Sequence, residues 1–445
     1  MAKDDDHKDG LPLSVLSTLM TTTDVTEARR KYNEMITQNK SCWTYQVPPP
    51  PDGYWKSIKH DEAYTFASMY FLEQIERQTR AMRYGESEAI VTIISDDLRH
   101  DESLLPYWNE FCKALTDGYQ YTLNVQHDEG ARSHFYLRGM ELPNQVLDLL
   151  FKGLSTVHFK CLGFENNNFG SDGMKHILGY VQSNTIFEEL YICKNTINKH
   201  DMHQLCEVLE SHPSMNTLKV IDCNRGKSNG YEMLRSVITA GTAKLKELDL
   251  SRNGISTCGS TFISEFLTTN PMLQSLNLQG NKLDDKDATL IAKSLKLNTN
   301  LRYLDITNNL VTEAGWDELS KAEFDSTSLN TAANSNHTCK VKQPTTNAIV
   351  SGEANGNYLN PKAIRSKKVY SILSTRNREG CNVKYFDDIS LKLLPNMLES
   401  IREHSRYSYL PQSPRRDRND VNPLSVIFEV SKWDEAMSVY ESMSK

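Results

Sequence analysis

Residues 245–255, LKELDLSRNGI, carry the pattern LxxLxLxxNxI, in which apolar residues and one asparagine recur at fixed offsets. The same pattern returns from Leu273 as LQSLNLQGNKL and, after an equal interval, from Leu301 as LRYLDITNNLV. A fixed period of about 20–50 residues is typical of repeat proteins, in which each unit buries its apolar face against its neighbours. The sequence therefore predicts a stack of similar units rather than a single globular core.

Weaker copies of the pattern extend it towards the N-terminus. Units that start at Met215 and Phe187 keep the frame, and we place an earlier unit at Leu154, with Leu162 at its asparagine position. The units then start at positions 154, 187, 215, 245, 273 and 301, so that only the first interval is clearly longer than the others. A further copy is expected upstream, around Phe135.

Each unit combines two periodicities. Alternation in ELDL predicts a short strand with one buried face. The second half of each unit has helical spacing, as in the pair Phe262 and Phe266, and predicts a helix that packs against the sheet. The asparagine after the strand can satisfy backbone groups at the turn. Polar residues before the next strand suit a left-handed helix exit, and they are Asn184, His212, Asn270 and Asn298.

On these motifs, residues 187–311 resemble leucine-rich repeats of the 28-residue, ribonuclease-inhibitor-like class. The resemblance implies an α/β solenoid with a parallel sheet on its concave side, helices outside, and another protein bound on the concave face. Fold by itself does not fix function. Residues 328–339, SLNTAANSNHTC, together with the following tracts 368–380 and 385–398, also resemble the tail of uncharacterised leucine-rich-repeat proteins of single-celled algae, a likeness that implies no activity.

The repeats divide the chain into five expected segments. These are a polar, partly disordered segment over 1–59, a helical cap over 60–131, the repeat solenoid over 132–340, a flexible loop over 341–360 and a second helical cap over 361–445. Caps are expected because a repeat stack needs its terminal faces covered. The repeat frame predicts a degenerate closing repeat at Leu329. An independent docking domain at the C-terminal end is the alternative to the second cap.

The composition excludes several classes of protein. Of 445 residues, 38% are hydrophobic and 24% charged, and the net charge of −7 lacks the basic surplus with which proteins hold a nucleic acid through its phosphates. No apolar run reaches the ~18 residues of a membrane helix, and the acidic start MAKDDDHKDG is unlike a secretory signal. Nine scattered cysteines without a CxxC pair indicate reduced thiols. We expect a cytoplasmic, monomeric protein that binds neither nucleic acid nor membrane.

Motifs for catalysis and cofactor binding are missing from the sequence. There is no phosphate loop, dinucleotide fingerprint, nucleophile elbow or HExxH, so we expect no enzyme activity and no cofactor. His200, His203 and Cys206 have ligand-like spacing, but no fourth zinc ligand accompanies them, so a solvated helix face is favoured and no metal is expected.

The third repeat contains an irregular loop. Two extra residues follow Arg225, which stands where an apolar residue normally enters the core. An exposed arginine near a bound nucleotide can stabilise phosphoryl-transfer charge, so the alternative function is regulation of an enzyme, as a small-GTPase activator or inhibitor. A plain insertion loop is the simpler interpretation of the same residues.

The outward positions of the predicted strands suggest the binding surface. From the second to the sixth repeat they carry five positive and six negative charges, a mixture that favours a protein partner over a polyanion. The candidate partner-binding residues are Tyr191, Lys219, Asp249, Arg252, Asn277, Tyr303 and Asp305. We therefore predict a non-enzymatic protein-binding scaffold or adaptor; a structural assembly subunit that uses its terminal caps is a third possibility.

Overall fold

The structure is a computed structural model that describes residues 62–84, 90–100, 102–122, 134–224, 230–239, 244–344, 360–378, 395 and 397–400. The expected segment 1–59, most of the loop 341–360 and the chain after residue 400 lie outside the described residues. The chain divides into two compact units after Gly254.

Strands and helices alternate along the first unit. Its elements are α1 (Glu62–Tyr84), β1 (Ile90–Leu98), α2 (Leu105–Thr122), β2 (His134–Met140), α3 (Asn144–Leu154), β3 (Cys161–Glu165), α4 (Ser171–Ser183), β4 (Glu189–Cys193), α5 (Lys199–Ser211), β5 (Thr217–Ile221), α6 (Gly230–Thr239) and β6 (Glu247–Asp249). Each strand from β1 to β5 pairs in parallel with the next strand along the chain, so that β6 is the last strand of this series.

The second unit repeats this order with shorter strands. Its elements are α7 (Phe262–Thr268), β7 (Ser275–Asn277), α8 (Asp285–Leu295), β8 (Tyr303–Asp305), α9 (Glu313–Glu323), α10 (Leu329–Ala333), β9 (Lys340–Val341) and α11 (Pro361–Arg378). Strand β8 pairs in parallel with β7 on one side and with β9 on the other.

The strands bury one face and leave the other open. In β4, Leu190 and Ile192 are fully buried, whereas Tyr191 between them is half-buried. The buried side chains meet the helices: Phe164 of β3 stacks on Phe151 of α3 with ring centroids 6.1 Å apart. The helices therefore pack on the buried face, and we call the opposite face of the sheet the open face. The predicted α/β leucine-rich-repeat architecture is confirmed.

Asparagine side chains tie each strand end to the neighbouring repeats. The Nδ2 of Asn195 donates to the carbonyl of Phe164 at 3.0 Å, and its Oδ1 accepts from the N–H of Asn167 at 2.8 Å. Asn253 makes a similar pair of bonds in the first unit, and Asn309 does so in the second. We call this series the asparagine ladder. It satisfies backbone groups that would otherwise be buried without partners.

The residue before each ladder position has a left-handed backbone conformation. These residues are Asn166, Lys194, Asp222 and Arg252 in the first unit and Gly280 and Asn308 in the second, with φ between 53° and 68°. A non-glycine residue in this conformation costs roughly 1–2 kcal/mol. Because the cost recurs in repeat after repeat, the ladder bonds beside it must offset it.

The polar residues at the helix exits act differently from the prediction. Asn270 is left-handed as expected, with φ 53°, but Asn184 and His212 have φ of −102° and −70°. The Nδ2 of Asn184 instead donates to the carbonyl of Phe159 at 2.7 Å, and the Nε2 of His212 lies 2.9 Å from the carbonyl of Asn184. These side chains form a second line of bonds between repeats.

The predicted frame of the first repeat is wrong by five residues. Leu154 ends α3, and Leu162 is a core residue within β3 rather than the residue after the strand. Asn167 takes the ladder position. The repeat therefore starts at Phe159, one regular repeat length before Phe187. Phenylalanine in place of leucine concealed the match.

The parallel sheet begins earlier in the chain than expected. The upstream copy around Phe135 is confirmed, since Phe135 pairs in register with Leu162. The segment 60–131 contains the two predicted helices, but it also contains β1, which the sequence analysis missed. This segment therefore adds a strand to the sheet as well as helices.

The closing repeat is also shifted. Leu329 begins the short helix α10, so the predicted frame at this position is wrong. The closing strand is β9, in which Lys340 pairs with Tyr303. The interval between these partners is longer than in the preceding repeats, because α10 is inserted after α9.

The asparagine ladder can be tested with Asn195→Ala. Removal of the side chain eliminates its buried hydrogen bonds to the carbonyl of Phe164 and the N–H of Asn167, so we expect the free energy of unfolding in urea to fall by about 2–4 kcal/mol. The exposed neighbour Thr196 is the matched control, and Thr196→Ala should change stability by no more than about 0.5 kcal/mol. Equal effects of the two substitutions would contradict a structural role of the ladder.

Candidate functional site

The middle outward position of each strand forms one row across the open face of the first unit. In register from β2 to β6 the row contains Tyr136, Gly163, Tyr191, Lys219 and Asp249. Neighbouring strands of a sheet lie about 4.8 Å apart, so side chains far apart in sequence meet here. The strand alternation leaves them available at the surface.

Two tyrosines of this row contact each other across an intervening strand. The ring centroids of Tyr136 and Tyr191 are 5.9 Å apart, although β3 lies between their strands. The contact is possible because Gly163 has no side chain: a Cβ atom at this position would overlap the Cδ2 atom of Tyr136. The glycine thus makes the space in which the two rings meet.

A carboxylate at the end of β3 joins the tyrosines to two cations. Glu165 has a side chain only 11% exposed, and its Oε2 accepts from the Tyr136 hydroxyl at 2.5 Å and the Tyr191 hydroxyl at 3.5 Å. Its Oε1 lies 3.2 Å from the Nζ of Lys194 and 3.7 Å from the Nε of Arg138. We call these five residues the Glu165 cluster.

The protonation states of the cluster follow from burial and charge. Burial acts to raise the pKa of Glu165, but the hydrogen bonds from Tyr136 and Lys194 and the charge of Arg138 outweigh it, and the pKa is lowered below 4.5. Burial raises the pKa values of Tyr136 and Tyr191 above the usual 10, and the charge of Glu165 adds to the effect. At neutral pH the carboxylate is therefore ionised, and both hydroxyls are proton donors.

Lys219 continues the row with an ion-pair bridge. Its Nζ lies 3.1 Å from the Oε1 of Glu189 on β4 and 3.3 Å from the Oε1 of Glu247 on β6. Burial acts to lower the pKa of Lys219, but the two carboxylates outweigh it and the net direction is upward. The predicted binding residue is thus a fixed cation held between two anions.

Asp249, Asn277 and Asp305 share a different role. Each side chain accepts a hydrogen bond from the backbone N–H two residues further on, at 2.9–3.0 Å, and so shapes the turn after its strand. Asp305 is also buried, and its Oδ2 lies 2.8 Å from the Nζ of Lys342. Of the seven predicted residues, these three form turns within the repeat.

The remaining predicted residues are more open to solvent. Arg252 is exposed and left-handed at the turn after β6, and Tyr303 is half-buried on β8. Four of the seven predicted residues lie in the first unit, and Asn277, Tyr303 and Asp305 lie in the second.

Sequence analysis missed three members of the cluster, namely Tyr136, Arg138 and Glu165. The misplaced first frame left Glu165 on β3 unrecognised. Tyr136 and Arg138 lie on β2, in the upstream copy, whereas the predicted surface took only the second to the sixth repeat. The residues Phe159, Leu162 and Asn167, each one regular repeat length before its counterpart in the next repeat, were the signal that would have located β3.

The other candidate sites receive no support. Arg225 lies outside the described residues. His200 and His203 are exposed on α5, whereas Cys206 is fully buried, so these side chains do not converge. Among the described residues, no group of three or more His, Cys, Asp or Glu side chains is arranged to hold a metal ion. The seven cysteines in the described ranges are free thiols, and no helix in those ranges has the length and apolar character needed to cross a bilayer.

Gly163→Ala tests the space between the tyrosines. The added methyl group must displace the Tyr136 ring, so we expect a loss of about 1–3 kcal/mol in the free energy of unfolding. In a Tyr136→Ala background the methyl group has no ring to displace, and the same substitution should cost markedly less. A cost that is equal in both backgrounds would show that the glycine serves another purpose.

The lowered pKa of Glu165 predicts a pH dependence of stability. A carboxyl group with a lower pKa in the folded state contributes stability above its unfolded pKa, and this contribution is lost as the pH falls through the folded pKa. The stability difference between the wild type and Glu165→Gln should therefore shrink from about pH 6 to about pH 3 in urea unfolding. Tyr136→Phe removes a donor to the carboxylate and should move this loss to higher pH. A difference that is constant with pH would contradict the assignment.

Comparisons with known proteins agree with the repeat architecture. The family model described as Leucine Rich repeat matches residues 243–259 and 269–292. No curated protein sequence matches the chain. Among solved structures, the chain is similar to an internalin from Listeria monocytogenes, with 18% identity over 51% of this chain and a TM-score of 0.28, and it spans 56% of that internalin chain. A TM-score this low does not establish that the two chains share an overall structure. The matched repeats and the register of the parallel strands agree with a leucine-rich-repeat fold.

Proposed function

We propose that the chain is a non-enzymatic protein-binding scaffold or adaptor that recognises a partner protein on the open face of its sheet. The observation that carries the proposal is the Glu165 cluster, in which two tyrosines and two cations are fixed around one carboxylate on the face that the helices leave uncovered. Side chains that are ordered before binding lose less conformational entropy on association. Such a group is suited to recognition.

Tyr191 is the proposed central anchor. Its ring packs against Tyr136, its hydroxyl lies within hydrogen-bond distance of Glu165, and it remains half-buried rather than covered. Tyrosine is enriched among residues that dominate binding energies, because it offers a large contact area with few rotatable bonds. The side chains of Arg138 and Lys194, 45% and 36% exposed, supply positive charge beside it.

The charges of the open face favour a protein as the partner. Along the row, Lys219 is flanked by Glu189 and Glu247, so positive charge is compensated within the sheet itself. A polyanion would gain little from such a surface, whereas a protein with its own mixed charges can match it. Tyr191, Lys219 and Arg252 in the first unit and Tyr303 in the second are the proposed contact residues.

The class of leucine-rich repeat, the cellular location and the oligomeric state of the protein are part of the same proposal. The regular interval between β3, β4 and β5 and the helix in each unit support the ribonuclease-inhibitor-like class of repeat. The algal resemblance, a cytoplasmic location, a monomeric state and the absence of nucleic-acid binding stay predictions from the sequence. Because Arg225 lies outside the described residues, no structural observation favours the enzyme-regulator alternative.

Affinity capture with variants of the open face tests the proposal. The full chain and its Tyr191→Ala variant are used as bait in parallel, and captured proteins are compared by quantitative mass spectrometry. Loss of an anchor residue typically costs about 2 kcal/mol or more, so we expect recovery or affinity of the specific partner to drop by about 30-fold. The experiment is then repeated with Tyr303→Ala for the second unit.

His203→Ala is the matched control, because this side chain is 66% exposed on α5 rather than on the open face. It should leave capture unchanged. A partner that is lost with His203→Ala and retained with both tyrosine variants would place the binding surface on the helices and overturn the proposal.

A further inference from the structure

The second unit contains a cavity of about 610 Å³ that is separate from the open face. It lies between the turn after α8, at Lys296–Thr299, the connection from α10 to β9, at Ala333–Thr338, and the start of α11, with Glu399 and Ser400 on its wall. Sites for small ligands commonly occupy about 300–1,000 Å³. The cavity is therefore large enough for a small organic molecule.

Cationic side chains line the cavity, although its wall also exposes apolar atoms. Lys296, Lys362 and Arg365 line it, together with one carboxylate, Glu399, whose Oε1 lies 2.6 Å from the Nζ of Lys362. With His337 neutral, the net charge of the wall is +2. Among the described residues that line the cavity there is no phenylalanine, tyrosine or tryptophan on which an aromatic base would stack. An anionic ligand without an aromatic ring suits this lining.

Arg365 presents an unused hydrogen-bond donor. Its Nε is buried and has no hydrogen-bond partner among the described residues. A buried donor on a charged group is costly to leave unpaired, and native proteins rarely do so. Guanidinium groups pair well with phosphate and carboxylate oxygens, often with two parallel bonds. A bound oxyanion would satisfy this donor.

His337 presents an unused acceptor in the same wall. Its Nε2 lies 3.1 Å from the carbonyl oxygen of Ala333, which can only accept, so Nε2 carries the hydrogen. Nδ1 is then an acceptor, and it is buried without a partner in the described chain. Burial and the charges of Lys368 and Arg365 lower the pKa of His337, which keeps the ring neutral. A ligand must therefore bring a hydrogen to Nδ1.

We propose that this cavity binds a small hydroxylated phosphate, such as a polyol phosphate, whose phosphate oxygens accept from Arg365 and whose hydroxyl group donates to His337. Lys296 adds positive charge from the turn after α8. Lys368 is not among the residues that line the cavity, and its ammonium group donates to the backbone carbonyls of Glu323 and Asn336. None of the residues that line the cavity is among the proposed contact residues of the open face.

Binding of inorganic phosphate and sulfate to the full chain, measured by calorimetry at equal ionic strength, tests the proposal. Inorganic phosphate at neutral pH offers both an oxyanion and a P–OH donor, whereas sulfate has the same shape and no hydrogen. We expect saturable binding of phosphate, at least about tenfold tighter than that of sulfate, because sulfate leaves Nδ1 of His337 unpaired. His337→Phe should remove this preference.

Arg365→Gln should weaken phosphate binding at least about tenfold, since a charge-assisted bond is lost. Lys367→Gln is the matched control, because Lys367 is exposed on the same helix and is not among the residues that line the cavity. The Lys367→Gln variant should bind phosphate like the wild type. Lys296→Gln, an exposed lining position, gives a second test if Arg365→Gln unfolds. No saturable phosphate binding, equal binding of phosphate and sulfate, or equal losses in Arg365→Gln and Lys367→Gln would overturn the proposal.

Discussion

The structure depends on how the backbone leaves each strand inside a closely stacked fold. At that point the chain must turn, and its N–H and C=O groups are too deep to reach water. The Asn195 side chain solves this by bonding the carbonyl of Phe164 and the N–H of Asn167 in the preceding repeat. An amide side chain is suited to the task because it both donates and accepts. Cys223 occupies one such position, where its thiol lies 3.4 Å from the carbonyl of Ile192, a weaker bond at the same place.

The ladder also fixes the register that builds the open face. Because each asparagine links one repeat to the one before it, residues one repeat length apart in sequence are placed side by side. Glu165 can therefore meet Lys194 just after the end of the next strand, and Gly163 can leave space for the ring of Tyr136. A shift by one residue would turn these side chains into the core. The order of the cluster is thus a consequence of buried bonds beneath it.

Part of the fold and of the Glu165 cluster could be predicted from the sequence, and part could not. The period, the alternation of strand and helix and the outward position of Tyr191 follow directly from apolar spacing. The frame of β3 was missed because phenylalanine fills positions that leucine usually holds, as at Phe159. Strand β1 was missed because it precedes the recognisable repeats. The contact between two tyrosines two strands apart needs three-dimensional register, which no local pattern in the chain encodes.

The outward position has two incompatible uses, and this difference bears on where the proposed recognition would occur. Asp249, Asn277 and Asp305 fill the position with a short side chain that folds back to cap the turn, and Asp305 is buried as a result. In β4 and β5 the same position holds Tyr191 and Lys219, which reach across the open face to neighbouring strands. A side chain used in its own turn has little to offer a partner. Recognition on this row should therefore concentrate on the early repeats, where glycine, tyrosine and lysine leave turn formation to the backbone and the ladder.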